Sequence, residues 1–353
     1  MQKAKTTKHS RIRMMTWSLL FIVMSAMILP TVSYVFNSDT AYAQVQNNEN
    51  QRSNFWRAVK DGNVGYSAVS GEESGVFINQ SGQNWREMRS GWLQEIGGWA
   101  IMGSLIAIAL FYLVRGRLKL QAARSGKMVP RWKFWERIMH WYTAILFVVL
   151  AITGLSMLFG RTVLIPLLGS KGFALWANLS INVHNIVGPL FSIGVFAMLL
   201  FWAKNNIPNG TDLKWFASGG GIIGNSHPSA GKANGGEKVW YWIVIFVGLI
   251  AVCGSGFALI GWLAQLGLGD TTRLTMQNMH QIHAVAAVVW IVVFFGHAYI
   301  GTVGTEGALE GMTTGQVSVE WAKEHHDLWY DEVKHQQQSE QIPNSADAKT
   351  SVS

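Results

Sequence analysis

The sequence predicts an all-α integral membrane protein: a four-helix transmembrane bundle preceded by one extra N-terminal transmembrane helix. Three observations carry this prediction. Charged residues make up only 14% of the 353 residues, against about 25% in a typical soluble domain, and the mean hydropathy is +0.19. Five uncharged runs each contain a core of about 20 apolar residues, the length that crosses a bilayer as a helix. The basic residues behind the net charge of +8 gather beside those runs, which is the pattern that orients membrane helices rather than a nucleic-acid patch. The 17 Trp and 17 Phe exclude disorder for most of the chain.

Residues 1–43 read as an export signal. Lys3, Lys5, Lys8, Arg11 and Arg13 form a basic start, Met14 to Leu29 is almost wholly apolar, and Ala41-Tyr42-Ala43 is an A-x-A-like cleavage site. A retained signal anchor is the alternative. In both cases the following segment is exported. Residues 44–91 are polar and rich in Gly-Asn, Asp-Gly and Ser-Gly pairs, with no helical or strand period, no His and no Cys. They read as an irregular periplasmic segment without chemistry.

The first span is Ile96 to Val114, and with the basic loop behind it forms a 92–129 segment. Next come Ile138 to Gly160, Gly172 to Ala203, Val239 to Gly269, and a last run from Leu274 to Thr305 whose spanning part is Gln281 to Val303. Lipid-exposed backbone must satisfy its own hydrogen bonds, so these runs are helices. Between the first two lie Arg115, Arg117, Lys119, Arg124, Lys127, Arg131, Lys133 and Arg137, opposed only by Glu136. That excess places the loop in the cytoplasm. The loop with Arg161 and Lys171 is then periplasmic, Asn205 to Lys238 cytoplasmic, Asp270 and Arg273 periplasmic, and the C-terminus cytoplasmic. Residues 336–353, rich in Gln, Ser and Asp, read as a disordered tail.

Four histidines lie in the spans at two depths. His140 and His297 sit at the cytoplasmic ends of the second and fifth spans, and His184 and His283 at the periplasmic ends of the third and fifth. Ionisable groups inside spans are costly and point to function. His283 and His297 are 14 residues apart, which is about 40° short of four full turns and about 21 Å of helix, so both face one way. Two histidines facing each other across a bundle can supply both axial ligands of a haem iron. The pairs His140 with His297 and His184 with His283 therefore predict two b-type haems. The single cysteine, Cys253, excludes a Cys-x-x-Cys-His attachment site, a Cys-ligated iron–sulfur cluster and a disulfide framework. Interhelical hydrogen bonding is the alternative for any one histidine. Zinc fits less well, because the pairs are too far apart to share an ion and no acidic ligand lies nearby. His280 lies about 100° off the face shared with His297 and reads as an interfacial residue. Gly154, Gly188, Gly254 and Gly256 fit either close approach to a flat macrocycle or ordinary small-residue helix packing.

From about Pro130 to His335 the chain resembles the cytochrome b (gamma) subunit of respiratory formate dehydrogenase. The stretches that carry this are Phe134-Trp135-Glu136-Arg137-Ile138-Met139-His140-Trp141, Ile181-Asn182-Val183-His184-Asn185-Ile186-Val187-Gly188, Ile282-His283-Ala284 and His297-Ala298-Tyr299. Two further motifs add specificity: Lys232-Ala233-Asn234-Gly235-Gly236-Glu237-Lys238, and Trp321-Ala322-Lys323-Glu324-His325-His326-Asp327-Leu328-Trp329-Tyr330. The resemblance implies a dihaem cytochrome b domain over residues 130–335. It implies the same haem pairs: His140 with His297 on the cytoplasmic side and His184 with His283 on the periplasmic side. It also implies assembly with a periplasmic molybdenum or tungsten catalytic (alpha) subunit and an iron–sulfur (beta) subunit in the inner membrane of a bacterium, in anaerobic respiration. Electrons then leave the cytoplasmic haem for a quinone, menaquinone, at a site with Asn234 and His297. Within that motif Asn234, Gly236 and Lys238 match the family, while Gly235 and Glu237 depart from it. From the residues alone, Asn234-Gly235 reads first as a turn before the fourth span.

The chain is not catalytic for formate by itself, having neither cysteine ligands for clusters nor a pterin-binding domain. Competing readings are the cytochrome b of a nickel–iron hydrogenase or thiosulfate reductase, which share the haem logic, a haem-free transporter with functional intramembrane histidines, and a purely structural anchor. A b-type spectrum separates the first two from the last two.

Overall fold

A computed structural model describes residues 80–221 and 228–341, together with Arg57 and Asp61. The predicted export signal, nearly all of residues 44–79 and the end of the tail lie outside the described residues. The described chain is mostly helical, with one small two-stranded sheet. Four helices are long and apolar enough to cross a membrane: Gly82–Arg115, Phe134–Asn206, Gly235–Leu259 and Arg273–Gly304.

In chain order the elements are α1 (Gln80–Ser90), α2 (Trp92–Arg115), β1 (Met128–Pro130), α3 (Phe134–Trp202) and α4 (Gly210–Ala217). Next are α5 (Gly235–Ile243), a π-helical stretch Val244–Cys253, α6 (Gly254–Leu259), α7 (Trp262–Gln265) and α8 (Arg273–Tyr299). α9 (Ala308–Thr314), β2 (Gln316–Ser318), α10 (Val319–His325) and α11 (Asp327–Gln341) close the order. α11 thus runs past residue 335, where the predicted tail begins.

Four spanning helices accommodate the five predicted spans because α3 contains two. Its 69 residues would extend about 100 Å if straight, over three times the hydrocarbon thickness. Gly169 breaks it, with φ 68° and ψ 170°, a conformation that needs a residue without a Cβ. The limbs before and after Gly169 lie side by side, as Tyr142 shows by donating its hydroxyl to the Leu190 carbonyl at 2.7 Å. The charged loop predicted around Arg161 and Lys171 is helix up to and beyond that glycine. The fourth span ends earlier than predicted, because Gly261 at φ 77° turns the chain.

The chain divides into two compact units. Among the described residues the first contains the chain up to Ala109, Tyr142–Val195 and Phe246–Phe295, and the second Leu110–Trp141, Phe196–Ile245 and the chain from Gly296. In the first unit, Ile101, Phe159, Val163, Val195 and Phe295 are fully buried. Phe147, Phe191 and Trp290 form a ring cluster with centroids 5.0 to 6.2 Å apart. α2 buries Leu93, Gln94, Gly97, Gly98 and Ile101, and Gln94 donates its side-chain amide to the Leu158 carbonyl. α1 is helical although its sequence lacks an apolar period. Its Met88 is buried and Trp85 stacks on His280 at 5.3 Å, so tertiary contact supplies what local pattern does not.

In the second unit β1 pairs antiparallel with β2, Val129 opposite Val317. These valines, Trp321, Ala322 and Trp329 form a small core. Arg131 is buried in it, over the rings of Trp132, Trp321 and Trp329 at 5.3, 4.8 and 5.2 Å. Its guanidinium donates to the Lys232 carbonyl at 3.1 Å and to Glu237 at 3.2 Å. A buried guanidinium is tolerable only with such pairing and ring contact.

Candidate haem-binding sites

The first unit holds His184 and His283. Their ring centroids are 6.0 Å apart. A metal ion midway, with bonds of about 2 Å to each ring nitrogen, requires about 6.2 Å between imidazole centres. The hydrogen bonds then identify which nitrogens keep a free lone pair. His283 Nδ1 lies 3.0 Å from the Val252 carbonyl oxygen. A carbonyl only accepts, so Nδ1 carries the proton and Nε2 keeps its lone pair. Ser255 Oγ sits 3.1 Å from the same nitrogen. On the other side His184 Nδ1 is 2.8 Å from Thr153 Oγ1. That hydroxyl spends its one proton on the backbone of its own helix, at Val149 2.9 Å away, and therefore accepts from Nδ1–H. Both rings thus present an unprotonated Nε2, held by the kind of outer bond that orients metal-ligating histidines.

The backbone around the pair is cut away. A Cβ at Gly154 would lie 3.5 Å from His184 Cε1, and one at Gly256 3.5 Å from His283 Cε1. Gly254 and Gly188 have nothing within that reach, so of the four glycines singled out from sequence, Gly154 and Gly256 are those set against the ligands. A cavity of about 440 Å³ opens between these groups, lined by both histidines, Gly154, Gly256, Phe147 and Trp290 among others, within the range of cofactor sites. The Val252 carbonyl comes from the π-helical stretch, an element often found at functional sites.

The second unit holds His140 and His297, with ring centroids 6.3 Å apart. The Trp240 indole stacks on His297 at 4.6 Å and 12°, which fixes the ring plane. His140 Nδ1 is buried without a hydrogen-bond partner, so this pair lacks on one side the outer bond that both rings of the first pair have.

Among the described residues no group of three or more His, Cys, Asp or Glu could hold a metal ion. Each pair offers two imidazole rings only. A metal held there must bring its remaining ligands with it, which is what a porphyrin does. At the His184/His283 pair, where the cavity opens, the residues present fit haem.

The other predicted residues fall as follows. His280 stacks on Trp85 and lines the same cavity as His283. Asn234 is the N-cap of α5: its Oδ1 accepts from the Glu237 amide at 2.9 Å, and Glu237 accepts from the Asn234 amide at 3.0 Å. It lies six residues before Trp240, about 9 Å along the axis. Glu237 also takes the Arg131 guanidinium, which joins the Asn234 motif to the tryptophan-rich tail motif. Thr153, Ser255, the Val252 carbonyl and Trp240 had no signal in the sequence. A hydroxyl immediately before a pocket glycine could have suggested the first two, since Thr153 precedes Gly154 and Ser255 precedes Gly256.

The sequence profile of prokaryotic cytochrome b561 matches residues 131–315, which include all four paired histidines and Asn234. The nitrate-inducible formate dehydrogenase cytochrome b556(Fdn) subunit of Escherichia coli (strain K12) is 29% identical over 220 residues, 60% of this chain and 94% of that protein. The formate dehydrogenase cytochrome b556(fdo) subunit of the same strain is 30% identical over 202 residues, 56% of this chain and 90% of that protein. The formate dehydrogenase cytochrome b556 subunit of Haemophilus influenzae is 27% identical over 221 residues, 60% of this chain and 87% of that protein.

Proposed function

The chain belongs to the prokaryotic cytochrome b561 family, and on that premise we propose that it is the membrane subunit of a formate dehydrogenase, anchoring periplasmic catalytic and iron–sulfur subunits and delivering their electrons to quinone. Family membership implies haem b. The count of two, the ligands, the quinone site and the orientation belong to this proposal. The observation that carries it is the spacing of the two histidine pairs, 6.0 and 6.3 Å between ring centres. Haem at each pair supplies one-electron transfer between the iron–sulfur partner and quinone.

The chain's own residues have separable tasks. His184 and His283 hold one metal-binding group on the periplasmic side, with Thr153, Ser255 and Val252 fixing their tautomer. His140 and His297 hold the second on the cytoplasmic side, with Trp240 orienting His297. Quinone reduction consumes protons, so its site needs an apolar slot, a few polar groups and access to water. Asn234 and His297 meet that description on the side where the polar 205–238 loop lies. The Asn234 carbonyl oxygen is engaged in the helix cap, which leaves its amide N–H groups as donors to a quinone oxygen.

The test is optical. The purified complex should show a reduced b-type spectrum with two haems per copy of this chain, reduced by formate and reoxidised by a menaquinone analogue. Absence of haem would return the histidines to helix packing, and haem that formate does not reduce would remove the assignment to formate dehydrogenase.

A further inference from the structure

Residues 80–130 lie outside the stretch matched by the family profile, 131–315, yet α1 reaches the His184/His283 cavity. Trp85 and Arg89 of α1 line it, alongside His280, Asn185 and the two paired histidines. Trp85 stacks nearly parallel on His280, at 5.3 Å and 17°. Arg89 donates from Nη2 to the Met157 carbonyl at 3.2 Å, and Met157 itself lines the cavity three residues after Gly154. The following helix is tied to the same wall, through Gln94 to the Leu158 carbonyl and through Gly97, where a Cβ would come within 3.3 Å of Val288.

The chemistry of the wall is uneven. Its floor is apolar and aromatic, with Phe147, Phe191 and Trp290. Arg89 is the one Lys or Arg among the residues lining it. A guanidinium has five donors in a rigid fork, and the bond to Met157 uses one of its nitrogens. A porphyrin of the b type carries two carboxylate arms on one edge and is apolar elsewhere. A pocket for it needs a greasy interior and a cation at the mouth, and Arg is the side chain that pairs with a carboxylate through two parallel bonds.

We propose that α1 completes the haem pocket of the His184/His283 pair, with Arg89 binding a haem carboxylate and the Trp85–His280 stack closing the pocket beside it. This rests on haem being held by that pair. It gives residues outside the matched stretch a task in cofactor binding, and it makes Arg89 a determinant of that haem's potential. Reduction removes one positive charge from the iron site, so a nearby cation favours the reduced form.

The experiment uses the purified whole complex, with haem counted by pyridine haemochrome and midpoint potentials taken from an optical redox titration. In Arg89→Gln, which can still donate to the Met157 carbonyl but has no charge, one of the two haem components should shift to lower potential or be lost, with the other unchanged. Arg89→Lys should recover most of the shift. Arg86→Gln, on the same helix but away from the cavity lining, should match the wild type. Wild-type potentials and haem content in Arg89→Gln would overturn the proposal, and so would an equal shift in Arg86→Gln, which would mean a general surface-charge effect. A wild-type complex that carries haem, but keeps its full content in the double variant His184→Ala/His283→Ala, would instead overturn the ligand assignment on which the proposal rests.

Discussion

His283 donates its Nδ1–H to the carbonyl oxygen of Val252 at 3.0 Å, and this bond leaves Nε2 as the nitrogen with the free lone pair. A backbone carbonyl cannot change its role, so the tautomer is set by the fold. The Thr153 hydroxyl lies 2.8 Å from His184 Nδ1 and accepts from it while its own proton goes to the Val149 carbonyl.

Removing either ring of a pair should remove one haem. His184→Ala and His283→Ala should lose the same component of the reduced spectrum, and His140→Ala and His297→Ala the other, each leaving about half of the haem. His280→Ala should retain both, because His280 stacks on Trp85. A haem lost in His280→Ala and kept in His283→Ala would break the pairing.

The outer hydrogen bonds should tune affinity and potential. Thr153→Val keeps the shape and removes the acceptor from His184 Nδ1–H. Changes of this kind typically weaken metal binding about 10- to 100-fold. A less basic imidazole also stabilises the oxidised iron less, so the potential of that haem should rise. An unchanged titration curve would show that Thr153 does not act through His184.

Asn234 caps α5 and is proposed to donate to quinone, and different substitutions separate the two. Asn234→Ala removes the α5 cap and should lower stability by about 1 kcal/mol, read as a lower Tm. Asn234→Ser keeps a capping oxygen but has no amide. Both should leave the haems bound and reducible by formate, and both should slow reoxidation by quinone. If only the Ala variant is affected, Asn234 is a cap and nothing more.

The tail core should weaken in acid. Burial first, and the Arg131 guanidinium beside it second, push His326 well below its usual value of 6.5. Its Nδ1 donates to the Gly231 carbonyl at 2.7 Å, and its Nε2 faces Arg131 Nη2 at 3.1 Å as the acceptor. A histidine held neutral in the fold binds its proton only when unfolded. Stability is therefore full above about pH 6.5 and falls as the pH drops below it. Hydrogen exchange of the α10 and α11 amides should accelerate between about pH 6.5 and 5, and His326→Gln should flatten that slope.

Orientation has its own test. A reporter fused after Gly91 should be periplasmic and one fused after Lys127 cytoplasmic, given the eight basic residues from Arg115 to Arg137. The reverse result would exchange the roles of the two histidine pairs.

Spans and histidine pairs were legible in the sequence because bilayer thickness and the 3.6-residue repeat are local constraints: charge-free runs mark helices, and a spacing of 14 residues puts His283 and His297 on one face. The partners of those rings were not legible. Thr153 reaches His184 from the other limb of α3 and Val252 reaches His283 from the π-helical stretch, and nothing in either residue type announces that its oxygen is aimed at an imidazole. The interruption between the second and third spans was legible, but its form was not: the stretch from Arg161 to Lys171 reads as a loop, while the backbone is helical on both sides of a single break at Gly169. α1 has no apolar stripe, so its helix and the place of Arg89 at the cavity come from contacts with His280 and Met157. Arg131, counted from sequence as one more cytoplasmic charge, is buried among Trp132, Trp321 and Trp329, because residues nearly 200 positions later fold over it and supply the rings, His326 and the strand that a solvated arginine would not have.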